Sequence, residues 1–362
     1  MISVYEPIIT KEDAQAVYDE VYSGMISGIG PRVKDIEEAI AKYVGVKYAV
    51  SCSSGTTALH LALMTHGIGE GKRVIVPACS FIATAFAASH TGAEPLFLDV
   101  EYGGWNLDLD RLEEFLRHSR VSAVIAVHNY GNPLDMNRLM TMSKKYGFVV
   151  IEDACEAFGA TLGGRKAGGL GHVGVFSFYG NKTITAGEGG MLLTNDKKVR
   201  DQAVLLRGQA QDPNKRFHHL CIGYNYRWTN IQAALALKQF ERLDQIIKRK
   251  KEIFELYEKH LDDSFIKQSV LPNAEHSYWM FSVRSQRKGW YEDVKMLLEK
   301  NGIETRPIFP PIPSMPAYNY PEYAPNLRVS YELFDSGITL PSGPGTYDKD
   351  IKKVCEVVNA TL

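Results

Sequence analysis

Three short stretches of this sequence hold residue types that could do chemistry together. The first is Asp153, in VVIEDACEA, at the end of an apolar run that reads as a strand. In open α/β sheets, ligands gather beyond the carboxyl ends of strands. A carboxylate there can keep a cofactor's ring nitrogen protonated; the competing reading is a helix N-cap, for which Asp is favoured. The second is Lys182, in SFYGNKTITAGEGG, between an apolar run and a glycine-rich turn. Held between apolar strands, its amine would be desolvated and available as the neutral nucleophile a Schiff base needs. The plain alternative is a loop lysine on a hairpin. The third is Ser53-Ser54-Gly55-Thr56-Thr57, between a strand-like and a helix-like run. Glycine permits close backbone approach, and a helix start offers free N–H groups to an anion such as a phosphate. An ordinary capped helix start fits the same letters. Phosphate cup, ring-nitrogen carboxylate and aldehyde-binding amine together describe one site suited to pyridoxal 5'-phosphate. No Walker motif or GxGxxG points instead to a nucleoside triphosphate or a dinucleotide.

The elements that must position these residues follow an alternating pattern. Apolar runs at 48–50, 73–76, 95–100, 123–127 and 148–151 read as strands, with helix-like stretches at 56–64, 83–89, 108–118 and 135–146 between them. Such alternation predicts an α/β fold with a mostly parallel sheet buried on both faces. Beyond Gly171 the character changes: 172–178 and 190–194 look like strands flanking a polar, glycine-bearing stretch. A single long helix is expected from about Thr229 to Leu256, with Ala233, Ala234, Leu237, Phe240 and Leu243 on one face. A large domain over 1–240 and a smaller C-terminal α/β domain over 241–362 are expected.

Composition narrows the class. The 362 residues, 45% hydrophobic, suffice for two cores, and the formal net charge of -1 provides no basic excess for a nucleic-acid backbone or an anionic membrane surface. The five cysteines are scattered without a CxxC pair, which argues against a disulfide framework and a structural zinc site; no metal is expected. The opening residues lack a signal-peptide pattern, and no uncharged apolar run is long enough to span a bilayer. A cytoplasmic enzyme is expected.

Ordered blocks along nearly the whole chain carry a resemblance: SSGTTALHLAL, VIVPACSFIATA, AVHNYGNPLDM, IEDACEAFGA, FSFYGNKTITAGEGGM, GYNYRWTNIQAALALKQFERLD, GIETRPIFPP and LPSGPG. They resemble the pyridoxal-phosphate-dependent sugar aminotransferases of the DegT/StrS family, whose fold is the aspartate-aminotransferase type. The resemblance implies a three-layer α/β/α large domain and a smaller C-terminal domain. It implies Lys182 as the cofactor-bearing amine and proton shuttle, with Asp153 on the pyridinium nitrogen. Phe81 would stack on the ring, and Gly55, Thr56 and Ser177 would hold the phosphate. Glu156 would lie on the phenolic-oxygen side. Asn225 would reach the phosphate from the neighbouring subunit, which implies a homodimer with shared sites. Arg306, Tyr278 and Trp279 would help bind a nucleotide-linked sugar, with L-glutamate as the amino donor. FYGNKTIT and Glu156 carry a nearer likeness to enzymes that aminate carbon 4 of a nucleotide-linked 4-keto-6-deoxyhexose. A 3-keto sugar nucleotide or a keto-cyclitol is the alternative acceptor.

Two positions depart from the family's pattern. Pro313 stands where relatives often carry a histidine, and Phe86 where an asparagine or a small residue is more usual. Dehydratases of the family resemble this chain with histidine at the lysine position, so Lys182 argues against dehydration. A non-catalytic cofactor-binding regulator would be expected to lack the lysine or to add a DNA-binding region; neither is seen.

Overall fold

The computed structural model describes residues 1–318 and 326–362. The chain opens with α1 (Lys11–Ser23) and α2 (Pro31–Val44). It then alternates through β1 (Tyr48–Cys52), α3 (Gly55–Met64), β2 (Arg73–Pro77), α4 (Ala83–His90), β3 (Glu94–Leu98), α5 (Leu109–His118), β4 (Ala123–Val127), α6 (Met136–Tyr146) and β5 (Val149–Asp153). Two short strands, β6 (Thr161–Leu162) and β7 (Arg165–Lys166), precede β8 (Val173–Ser177) and β9 (Gly190–Thr194). The central sheet has the order β1-β9-β8-β5-β4-β2-β3. Within it β9 alone runs against its neighbours. The β8–β9 connection contains no crossover helix, and a parallel return would need one. As a result β1, β2, β5 and β8 all end at the same edge of the sheet.

Both faces of the sheet are covered, as its largely apolar strands require. One core lies against α3, α4 and α7 (Lys197–Arg207), around Leu59, Leu61, Val76, Ile125 and Leu192. On the other face, one core gathers α5 and α6 and another gathers α2 and α8 (Asn230–Glu241).

The expected single helix over 229–256 is two helices. It breaks at Arg242, where φ is -107° and ψ is 10°, and resumes as α9 (Leu243–His260). The break redirects the apolar stripe. Ala233 and Ala236 pack on the second-face core of the large sheet, whereas Ile253 and Tyr257 enter a separate core. Two surfaces at different angles cannot be served by one straight stripe. Arg242 itself turns back to Asp13 on α1.

The separate core is built on a three-stranded sheet. Its elements are β11 (Phe281–Arg284), α10 (Trp290–Lys300), β12 (Arg306–Pro307), α11 (Arg328–Ser336), β13 (Gly337–Leu340) and α12 (Asp348–Asn359), after the short β10 (Ala274–Glu275). We propose the break at Arg242 as the boundary between the two units. The first residues then side with the second unit, because Ile2 pairs with Ile303. All five cysteines are free, and no described helix is long and apolar enough to cross a membrane.

Candidate active site

The shared edge of β1, β2, β5 and β8 faces β12 and β13, and a cavity of about 630 Å³ lies between them. Its floor comes from the large unit and its roof from Trp279, Arg306, Phe309 and Thr339.

The α3 start is both a capped helix and an open cup. Ser54 is the N-cap: its Oγ accepts from Thr57 N at 3.2 Å, and Thr57 Oγ1 accepts from Ser54 N at 3.0 Å. Gly55 and Thr56, the first two helical residues, have no intrahelical acceptor for their N–H groups, and both line the cavity. The two readings of this motif are therefore one structure. Glycine keeps position 55 uncrowded, since a Cβ would stand 3.0 Å from both Cys155 Sγ and Ser177 Cβ. Glycine is needed more strictly at 190, where a Cβ would lie 2.1 Å from Ser54 O.

Asp153 ends β5 and is 6% exposed. No helix follows it, so it caps none. Its Oδ2 accepts from Thr84 Oγ1 at 3.1 Å and its Oδ1 from Cys155 N at 3.2 Å. Three residues on, Glu156 is also buried, with Oε2 accepting from Tyr130 N at 2.8 Å. Tyr130 takes a left-handed φ of 58° to present that N–H. Burial raises the Glu156 carboxyl to about 7, opposed by the Lys182 amine and the Tyr130 N–H.

Lys182 sits in the turn between β8 and β9, with its side chain 13% exposed. Its amine is largely buried, beside a carboxylate and an aromatic ring. Nζ lies 3.7 Å from Glu156 Oε1 and 3.9 Å from the centre of the Trp279 ring. The turn is pinned from outside: Tyr5 Oη donates to Lys182 O at 2.7 Å and Trp279 Nε1 to Asn181 O at 2.8 Å.

The remaining expected residues divide. Ser177, Phe81, Trp279 and Arg306 line the cavity. Phe81 is 57% exposed and is no core aromatic. Arg306 also makes a loose surface pair, 3.8 Å to Glu304. Tyr278 lies outside the cavity: its left-handed φ of 58° turns it away, and its ring packs edge-on against Phe254 of α9. Asn225 is exposed and does not line this chain's cavity. Phe86 packs against His90 and Tyr318, and Pro313 is buried in a short turn beside Ile312, whose N–H donates to Ala78 O at 2.8 Å.

Thr84, Tyr130, Phe309 and Tyr5 were missed. Tyr130 lies in HNYGN, after an apolar strand at the ligand edge, and that position was a usable signal. Tyr5 meets Lys182 across 177 positions and had none. Among the described residues no cluster of three His, Cys, Asp or Glu could hold a metal ion.

The residues present fit pyridoxal phosphate: free N–H groups at a helix start for the phosphate, a buried carboxylate at depth and an amine within one cavity. The comparisons agree with this geometry. The chain is 38% identical to GDP-perosamine synthase of Escherichia coli O157:H7, with 99% of this chain and 98% of that protein covered. It is 38% identical to GDP-perosamine synthase of Caulobacter vibrioides, covering 100% of this chain and 98% of that protein. Among solved structures, the aminotransferase TlmJ of Streptoalloteichus hindustanus superposes with a TM-score of 0.94 at 28% identity, covering 100% of this chain and 98% of that one. DesV of S. venezuelae, in complex with a ketimine intermediate, superposes at 0.90 and 30% identity, covering 96% and 94%. Residues 7–359 match one family model over almost their whole span, and the chain belongs to the DegT/DnrJ/EryC1/StrS aminotransferase family.

Proposed function

We propose that this aminotransferase uses pyridoxal 5'-phosphate to move the amino group of L-glutamate to carbon 4 of a nucleotide-linked 4-keto-6-deoxyhexose. The observation that carries the reading is the convergence of the Lys182 amine, the Asp153 carboxylate and the open start of α3 in one cavity. The choice of acceptor is supported by full-length similarity to proteins named for perosamine synthesis.

When bound, the cofactor supplies an aldehyde that carries nitrogen and a ring that accepts electrons. In this reading, Lys182 holds that aldehyde. Released by the donor, its Nζ takes the proton from the amino acid's α-carbon and later returns one to the sugar carbon. Asp153 keeps the ring nitrogen protonated and is itself held by Thr84. Gly55 and Thr56 N–H groups and the Ser177 hydroxyl hold the phosphate, Phe81 covers the ring, and Glu156 lies on the phenolic side. Trp279 and Arg306 face the sugar nucleotide. Asn225 serves the site of a second subunit. That assignment is supported by its exposure in a segment that also exposes Phe217 and Ile222, by 80% and 87%.

The test is a visible spectrum of the purified protein with cofactor. Glutamate is expected to bleach the lysine-bound band, and one member of a panel of 4-keto and 3-keto sugar nucleotides to restore it. A band unmoved by glutamate refutes the donor; restoration only by a 3-keto sugar, or by none of the 4-keto sugars, refutes the acceptor.

A further inference from the structure

Lys250, on α9, is 0% exposed, and no carboxylate lies within ion-pairing distance of it among the described residues. A buried amine without a counter-charge is costly, and an apolar side chain of similar length would fill the space more cheaply. Its Nζ donates to Trp279 O at 2.8 Å and to Ser342 O at 3.2 Å. Both carbonyls lie just past the ends of paired strands. The β11–β13 ladder stops at Phe281 and Leu340, and Lys250 joins the chains two residues further out on each. The same Nζ lies 4.9 Å from the centre of the Tyr5 ring.

Trp279 and Tyr5 are the two residues that pin the Lys182 turn. One donates to Asn181 O and the other to Lys182 O. The Trp279 ring also lies under Lys182 Nζ. One buried amine thus touches both supports of the turn without itself lining the cavity.

We propose that Lys250 is a positioning residue for Lys182: it fixes the Trp279 backbone and the Tyr5 ring, which hold the turn from which the reacting amine projects. Burial lowers the Lys250 amine to about 7, and this suits the role, because the neutral amine still has a proton for each carbonyl. The proposal rests on Lys182 being the reacting amine.

The test is amide hydrogen exchange on protein prepared without cofactor, comparing wild type with Lys250→Met. Exchange in 178–186, which includes the Lys182 amide bonded to Tyr179 O, is expected to quicken by about tenfold while β4 remains as protected as before. Unchanged exchange in 178–186 overturns the proposal. So does an equal loss in β4, which would mark Lys250 as a general stabiliser. Should Lys250→Met fail to fold, Tyr5→Phe decides: it leaves Lys250 in place and removes the hydroxyl from Lys182 O, and exchange unchanged in that turn also overturns the proposal. With cofactor restored, Lys250→Met is expected to lower kcat several-fold with little change in KM. The exchange readout uses no cofactor, so it can fail while Lys182 stands as the reacting amine, and hold where Lys182 does not.

Discussion

Glu156 is the cavity side chain whose charge depends most plainly on its surroundings. Its carboxyl is raised from 4.5 to about 7, chiefly by burial. Between those values an unfolded chain ionises this group while the folded chain keeps it protonated. The folded state therefore loses stability as pH rises through that window, by up to about 3 kcal/mol. Glu156→Gln removes the effect. The stability of wild type relative to this variant, from denaturant unfolding without cofactor, is expected to be highest near pH 4.5 and to fall until about pH 7; a flat difference would refute the assignment. Lys182→Ala is expected to lower multiple turnover by about 10⁴-fold and to abolish the lysine-bound band, as a stopped assay and a spectrum would show. Local pattern placed Asp153 at a strand's carboxyl end and Lys182 in a loop flanked by strands, as the structure has them, but left their roles to the family resemblance. Thr84 was not: its link to Asp153 spans 69 positions and exists only because α4 starts beside β5 at the shared edge.

At the scale of elements, strand order is what assembles the site, and Gly190 shows how closely. The start of β9 passes directly beneath the Ser54 carbonyl. Gly190→Ala drives a Cβ into fixed backbone and is expected to cost about 3 kcal/mol and to weaken cofactor binding by displacing the cup. A thermal melt and a cofactor titration check both; an unperturbed variant would contradict the close approach. The alternation of strand and helix was readable because each strand is short, apolar and bounded. The break at Arg242 was not, because an apolar stripe gives no warning that its two halves serve different cores. The break is held by Asp13, fully buried, whose Oδ2 accepts from Thr10 N, Gln239 Nε2 and Arg242. Arg242→Ala leaves that carboxylate short of its cation and is expected to destabilise the fold by about 3 kcal/mol in urea.

At the scale of the whole molecule, the exposed Asn225 and its apolar neighbours bear on assembly. If a site takes Lys182 from one subunit and Asn225 from another, Lys182→Ala and Asn225→Ala chains complement each other. Remixed subunits are expected to recover up to about a quarter of wild-type turnover, since half the dimers are mixed and each restores one site. A mixture no more active than the sum of its parts would show that sites are not shared. The molecule also closes on itself. Ile2 N donates to Gly302 O at 2.7 Å, Ser3 and Val4 both reach Glu304, and Ser342 N donates to Val4 O at 3.1 Å. Val4 leaves the ribosome some 300 positions ahead of Glu304, its partner. Tyr5, which steadies the Lys182 turn, is therefore not anchored through its neighbours until Glu304 and Ser342 have been made. The parallel sheet can form well before then, so ribosome-bound chains are expected to hold a folded large unit whose Lys182 turn is still loosely held.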